Sequence, residues 1–203
     1  MKVLNINNFR NIAIKTSLIS LPFLVTPAFA QANSLQKDIF EYTIYPVGTK
    51  DTTILANSPS PKVTVCGTKK NAKIVVDTSN NRLYKYDEDG TPLCCYSVAT
   101  GAKDSPTSKG LRIVSHVETF PYKEAPRATN RRRFPRDFGP KIIILDKLDA
   151  KDGSRSPIGE FIHGNKDASS IGKYASHGCI RMDNKVIQLL SKEVKRGDLV
   201  LIK

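Results

Sequence analysis

Neither an apolar run long enough to cross a membrane, nor an internal repeat, nor a low-complexity tract occurs in this chain of 203 residues. The apolar stretch Leu18 to Val25 falls well short of the roughly 20 residues a spanning helix needs, and Pro22 interrupts it. The absence of repeats excludes a solenoid or propeller. Ligand pairs of the Cys-x-x-Cys or His-Glu-x-x-His kind are missing, which argues against a metal centre, and no cofactor is expected. Asp146, Asp149 and Asp152 lack the glycine and terminal glutamate placement of an EF-hand and read as turn residues. Acidic residues are scarce, 19 against 32 Lys and Arg, so the formal charge is +13 and polyanions are attracted.

The order of the first thirty residues is informative: Lys2, Arg10 and Lys15, the apolar stretch, then Ala28-Phe29-Ala30. This is the pattern of a secretory signal peptide, residues 1–30, cleaved after Ala30. No cysteine follows to carry a lipid anchor, so the expected location is the periplasm or the cell wall. The segment holds three of the basic residues and none of the acidic ones, leaving 29 against 19, a formal +10. For an exported protein the anions at hand are wall polymers and lipid headgroups, not nucleic acid. The charge also fits a protein that is merely kept soluble by it.

Residues 31–62, punctuated by Pro46, Gly48, Pro59 and Pro61, carry no sustained period and read as a linker or disordered segment. From Val63 to Lys203 a single domain of about 140 residues is expected, as a monomer. Val63–Cys66, Lys73–Asp77, Arg82–Tyr86 and Leu93–Val98 read as short, closely spaced strands, which points to an antiparallel, β-rich domain. Lys141–Leu145 and Glu160–His163 are further strands, and Leu199–Ile202 is the last. Asp183 is placed to cap a helix with Val186, Ile187, Leu189, Leu190 and Val194 on its apolar face, ended by Gly197.

Residues 118–139 stand apart. They combine prolines, the run Arg131-Arg132-Arg133 and the aromatics Phe120, Tyr122, Phe134 and Phe138. A stretch this long without periodicity is a flap or a disordered insert, and its aromatics favour the flap. The arginines are either a solvated loop or a clamp for carboxylates. His116 reads as a surface or edge-strand residue.

Four cysteines would face an oxidising compartment, so each needs an account. Cys66 with Cys94 or Cys95 is the expected disulfide, since all three fall in predicted strands. Cys179 is left over, as a reactive group or a buried hydrophobe. It alone has histidines nearby: His177 two residues before it and His163 sixteen before it, at a strand end. An imidazole that can hold a thiol proton makes a nucleophile, and Gly178 permits a tight turn that presents it and aims peptide N–H groups at a carbonyl oxygen. The same three side chains with a water would resemble a zinc site, and a redox role lacks a resolving cysteine close in sequence.

His163-Gly164, then Gly172, then Ser176-His177-Gly178-Cys179-Ile180-Arg181-Met182 resembles the signature of the L,D-transpeptidase (YkuD-like) catalytic domain. Within the same 63–203 span, Ile74–Asp77 with Arg82–Tyr84 resembles its opening hairpin. Thr100-Gly101 with Ser105-Pro106-Thr107 and Gly110 resembles its Thr-Gly and Pro-Thr-x-Gly segment, although two residues stand where the second glycine usually follows. The resemblance implies a mostly β sandwich or barrel with one or two short helices. It implies Cys179 as nucleophile, His163 as base, and the Gly164 carbonyl as orienting group. The peptide N–H groups of His177, Gly178 and Cys179 would form the oxyanion hole, Ser176 would belong to the same turn, His177 would position substrate and Arg181 would brace the turn. The substrates would be peptidoglycan stem peptides, cross-linked with loss of D-alanine. Water as acceptor would give an L,D-carboxypeptidase and a protein lysine an anchoring enzyme; the competing class is a wall-binding module without turnover.

Overall fold

The computed structural model of the chain describes residues 58–203. The expected signal peptide, 1–30, and most of the expected linker lie outside the described residues. The last part of that linker is packed: Ser60 is buried and donates its hydroxyl to the Ala72 carbonyl at 2.5 Å. The first strand already begins at Lys62.

Strands β1 (Lys62–Val65) and β2 (Thr68–Asn71) form a hairpin. They are followed by β3 (Ile74–Asp77), β4 (Arg82–Tyr86), β5 (Pro92–Ser97) and β6 (Thr100–Gly101). Next come β7 (Gly110–Thr119), β8 (Lys141–Leu148), β9 (Arg155–His163) and β10 (Tyr174–Ser176). The chain closes with β11 (Ile180–Arg181), helix α2 (Asn184–Glu193) and β12 (Leu199–Ile202). A four-residue helix α1 (Asn130–Arg133) and a 3-10 turn (Pro135–Phe138) lie between β7 and β8. Eight strands make one curled sheet in the order β11-β9-β8-β7-β12-β3-β4-β5, and β10 pairs with β6 beside it.

The domain is mostly β, as expected, but the sheet is mixed where an antiparallel one was expected. β12 runs parallel to β3 and antiparallel to β7, and β11 runs parallel to β9. The last strand inserts between two early ones, a pairing that strand spacing along the chain does not encode.

Alternation sorts the side chains onto two buried faces. Ile143, Leu145 and Ile162 face the main core with Ile74, Val76 and Val200, where Val186, Ile187 and Leu190 of α2 cover them. Ile142 and Ile144 face the other way, under Tyr122 and Phe138. Cover on both sides explains why Ile142 to Leu145 is continuously apolar. Full burial of each such side chain contributes roughly 1.5–3 kcal/mol.

Asp183 caps α2 as expected, accepting from the Lys185 and Val186 N–H groups at 2.8 and 3.2 Å. The helix ends at Val194 rather than at Gly197, and Leu189 is only half-buried. Gly197, with φ +97°, serves the turn into β12 instead.

The cysteine expectation is corrected. All four thiols are free. Cys66 sits in the tip between β1 and β2, its N–H bonded to the Ala150 carbonyl and its sulfur against Gly153. Cys94 and Cys95 lie on β5, the outermost strand at the opposite end of the sheet from β11. His116, read as a surface or edge-strand residue, is exposed, although its strand β7 is interior to the sheet, and it is bonded to Glu118 at 3.3 Å.

Candidate active site

The register of β9 against β11 builds the site. Ile180 pairs with Ile162 and Arg181 with His163. Because side chains alternate, Ile162 and Ile180 point into the main core, while Phe161, His163, Cys179 and Arg181 all emerge on the opposite face. The histidine and cysteine sixteen residues apart in sequence thus meet through one strand pairing. The Met182 N–H donates to the His163 carbonyl at 2.8 Å, and Ala99 exchanges two 2.8 Å backbone bonds with Arg181 on the far side.

The turn carrying Cys179 is tied by Ser176. Its buried hydroxyl donates to the Cys179 carbonyl at 2.5 Å and accepts from the Gly178 N–H at 3.2 Å, while Gly178 takes φ +106°. The Gly178 N–H is therefore engaged, against the expectation that it faces the oxyanion. The N–H groups of His177 and Cys179 have no partner among the described residues. Thr100-Gly101 and Pro106-Thr107 brace the turn from below. The Ala102 N–H donates to Ser176 O at 2.9 Å, Thr107 Oγ1 accepts the Gly101 N–H at 2.9 Å, and a side chain at Gly101 would strike the Thr107 backbone. Of the two residues that replace the family's second glycine, Ser108 donates its N–H to Glu160 at 3.0 Å, and Glu160 in turn pairs with Arg112 at 3.1 Å.

His163 is buried, with Nδ1 2.5 Å from the Gly164 carbonyl and the Phe138 ring 4.9 Å away. A carbonyl only accepts, so Nδ1 carries the proton and Nε2 keeps its lone pair. Burial pushes the imidazole down to about 4, opposed by the Gly164 and Phe138 carbonyls and assisted by the Arg181 guanidinium. Burial also pushes the Cys179 thiol up to about 11, against the Phe161 N–H and Arg181. At neutral pH the resting pair is thus thiol and imidazole, not thiolate and imidazolium. The thiol also lies 3.9 Å from the Gly159 carbonyl.

The segment 118–139 is ordered and forms a flap across this face, although residues 118 and 119 belong to β7. Tyr122 is buried and donates to Gly139 O at 2.5 Å. Arg131 makes a bidentate pair with the buried Glu118, at 2.7 and 3.1 Å, and lies 5.3 Å over the Phe161 ring. Of the three arginines read as a loop or a carboxylate clamp, Arg131 is neither: it fastens the flap. Arg133 is exposed and Arg132 half-buried.

Flap and strands enclose a cavity of about 630 Å³ that reaches Phe138, Phe161, His163, His177, Cys179 and Arg181. Its charged groups are Arg131, neutralised by Glu118, Arg181, and the flap residue Asp137. Arg181 has no ion-pair partner among the described residues, whereas Asp137 holds the exposed Lys166 at 2.9 Å. Of the expected site residues, Ser176, His177, Gly178, Cys179, His163, Gly164 and Arg181 converge here. Glu118, Asp137 and Asn184 were missed. Glu118 and Asp137 lie in or beside the aperiodic flap, and Asn184 looks like an ordinary first-turn helix residue.

The half-buried Cys179 thiol and the carbonyl-held His163 imidazole thus share one face of a strand pair under a flap. A family model of the L,D-transpeptidase catalytic domain matches residues 71–202, and the chain belongs to that family. The chain is 36% identical over 109 residues to YqjB of Bacillus subtilis (strain 168), provisionally named an L,D-transpeptidase. That match covers 53% of this chain and 57% of the relative, so the chain spans just over half the length of the curated protein it resembles. Among solved structures, Bdellovibrio bacteriovorus Bd1075 superposes with a TM-score of 0.50 at 19% identity, over 72% of this chain and 53% of that one. An L,D-transpeptidase from Mycobacterium tuberculosis H37Rv gives 0.46 at 16% identity, over 73% and 66%.

Proposed function

We propose that the chain is an exported L,D-transpeptidase that cross-links peptidoglycan stem peptides through a thioester on Cys179. The observation that carries this reading is the placement of Cys179 and His163 on one sheet face, with His163 Nδ1 held by Gly164 O and Nε2 left to accept a proton. His163 takes the thiol proton as the sulfur attacks the carbonyl of the L-centre, such as that of diaminopimelate, in a donor tetrapeptide. The oxyanion is met by the His177 and Cys179 N–H groups. His163 then protonates the departing amine of D-alanine, leaving the acyl group on sulfur. The acceptor ammonium gives up one proton to solvent; the free amine then attacks the thioester while His163 takes its second proton, and the departing thiolate recovers that proton from His163, giving a 3,3 cross-link. The neutral resting state suits this sequence, because charge separates only when substrate is present to stabilise it. Wall stem peptides as substrates, monomeric action and contact of the basic surface with anionic wall polymers belong to the same proposal.

The test is mass spectrometry of the purified protein after incubation with a tetrapeptide-bearing muropeptide. The expected result is an acyl adduct on Cys179 with released D-alanine. Unchanged protein and muropeptide, with Cys179 shown to be reduced, would sink the reading and leave a wall-binding module.

A further inference from the structure

The base is oriented by a carbonyl, and that carbonyl has its own support. Gly164 O and Asn165 N belong to one planar peptide unit in the trans form, so its C=O and N–H point in opposite directions. The C=O end receives His163 Nδ1–H at 2.5 Å. The N–H end donates to Asn184 Oδ1 at 2.9 Å. Asn184 Nδ2 also donates to the Asn165 carbonyl at 2.9 Å, so one side-chain amide grips Asn165 at both backbone groups as a neighbouring strand would. Asn165 Nδ2 adds a 2.6 Å bond to the Met182 carbonyl, locking this segment to the residues just after β11.

Sterics agree with this assignment. A Cβ built on Gly164 would lie 2.3 Å from Asn184 Oδ1, and one built on Gly139 of the flap would lie 2.4 Å from the same atom. The Asn184 amide therefore occupies a slot that only two glycines leave open. Asn184 is the first residue of α2, yet its side chain does not cap the helix, because Asp183 fills that role.

We propose that Asn184 is the positioning residue for the base: by fixing the Gly164–Asn165 peptide plane it holds the Gly164 carbonyl against His163 Nδ1 and so keeps Nε2 as the proton acceptor. This rests on His163 being the base. Without the Asn184 acceptor, the Asn165 N–H turns to find water and carries the Gly164 carbonyl away from the ring. The imidazole then loses its single tautomer, and an orienting group lost in this way lowers turnover rather than substrate binding.

The experiment is ¹⁵N NMR of the His163 ring at pH 7 in the full chain, for wild type, Asn184→Ala, Asn184→Asp and Asp183→Ala, with D-alanine release measured alongside. In wild type and Asn184→Asp, which keeps the acceptor, the ring is expected to show a protonated Nδ1 and an unprotonated Nε2. In Asn184→Ala the signature becomes a mixture of tautomers, kcat falls roughly tenfold or more and KM stays within about twofold. Asp183→Ala removes the helix cap and is the control for lost stability alone: it lowers the thermal midpoint without changing the ring signature. A wild-type signature in Asn184→Ala, or mixing in Asn184→Asp or Asp183→Ala equal to that in Asn184→Ala, overturns the proposal. A wild-type protein that releases no D-alanine defeats the catalytic reading instead, and the ring signatures still decide whether Asn184 sets the tautomer.

Discussion

Across the cleft, β9 and β11 present Phe161, His163, Cys179 and Arg181 from a ladder of backbone hydrogen bonds, whereas the flap opposite is fastened by a few side chains. Its side-chain attachments include the Arg131–Glu118 pair, the exposed Asp137–Lys166 pair, and the packing of Tyr122 and Phe138 over Ile142 and Phe161, while the Tyr122 hydroxyl on Gly139 ties the flap's two ends together. The ladder does not depend on which side chain stands at 179. The flap has no comparable redundancy, because each attachment is a single residue. Changes on the floor should therefore cost chemistry without stability, and changes in the flap's fastenings should cost stability first.

The largest effect tests the floor. Cys179→Ala is expected to abolish acyl-enzyme formation while moving the unfolding free energy by less than about 1 kcal/mol; mass spectrometry and thermal melting read the two. His163→Ala should lower kcat about 10²- to 10⁴-fold, the span typical of a lost general base, and a variant that retains full D-alanine release would break the assignment.

The flap's test is Arg131→Ala, which leaves Glu118 buried without its bidentate partner. A destabilisation of about 3 kcal/mol is expected in denaturant unfolding, larger than for Cys179→Ala. If Arg131→Ala proves as mild as the floor variant, the contrast between the two regions fails.

Acidity supplies a test of comparable size that acts on both regions. His163 is held near 4 in the folded chain against an ordinary value of 6.5, so between these values the unfolded state binds the proton more readily. Stability is fully present above pH 6.5 and falls as pH drops toward 4, by a total on the order of 3 kcal/mol. Cys179, held near 11 against 9, gives the opposite slope between pH 9 and 11. His163→Ala should flatten the acid limb, and an unchanged limb would show that the histidine is not buried as described.

The smallest effect is expected at the rest of the arginine run. Arg132→Ala and Arg133→Ala should each change stability by no more than about 0.5 kcal/mol, because neither shows an ion pair among the described residues. A loss like that of Arg131→Ala would mean that the flap is fastened along its whole length.

Much of the domain was legible from local pattern. Arg82–Tyr86 and Leu199–Ile202 are strands with the bounds the pattern suggests, and Asp183 caps its helix. Strands β8 and β9 run further than the pattern suggests, and five others were missed. β6, β10 and β11 are two or three residues long, β2 is wholly polar, and β7 is interrupted by polar residues. These exist because of their partners rather than their own propensity. The disulfide was misjudged for a related reason: Cys66 falls in the turn of the separate β1–β2 hairpin and Cys94 and Cys95 on the outermost strand of the main sheet, a separation that strand pattern along the chain does not reveal.

What the sequence determined by itself is the chemical vocabulary: a thiol after a glycine, a histidine at a strand end, and the family those residues signal. Tertiary structure alone decided how that vocabulary is used. The parallel pairing of β11 with β9 put the two groups on one face, since strand alternation assigns faces only after register is set. Burial under the flap made both groups neutral at rest, since desolvation depends on what covers a residue and not on its neighbours in the chain. The grip of Asn184 on the Gly164–Asn165 peptide likewise arises across nineteen residues of chain, where no local pattern could announce it.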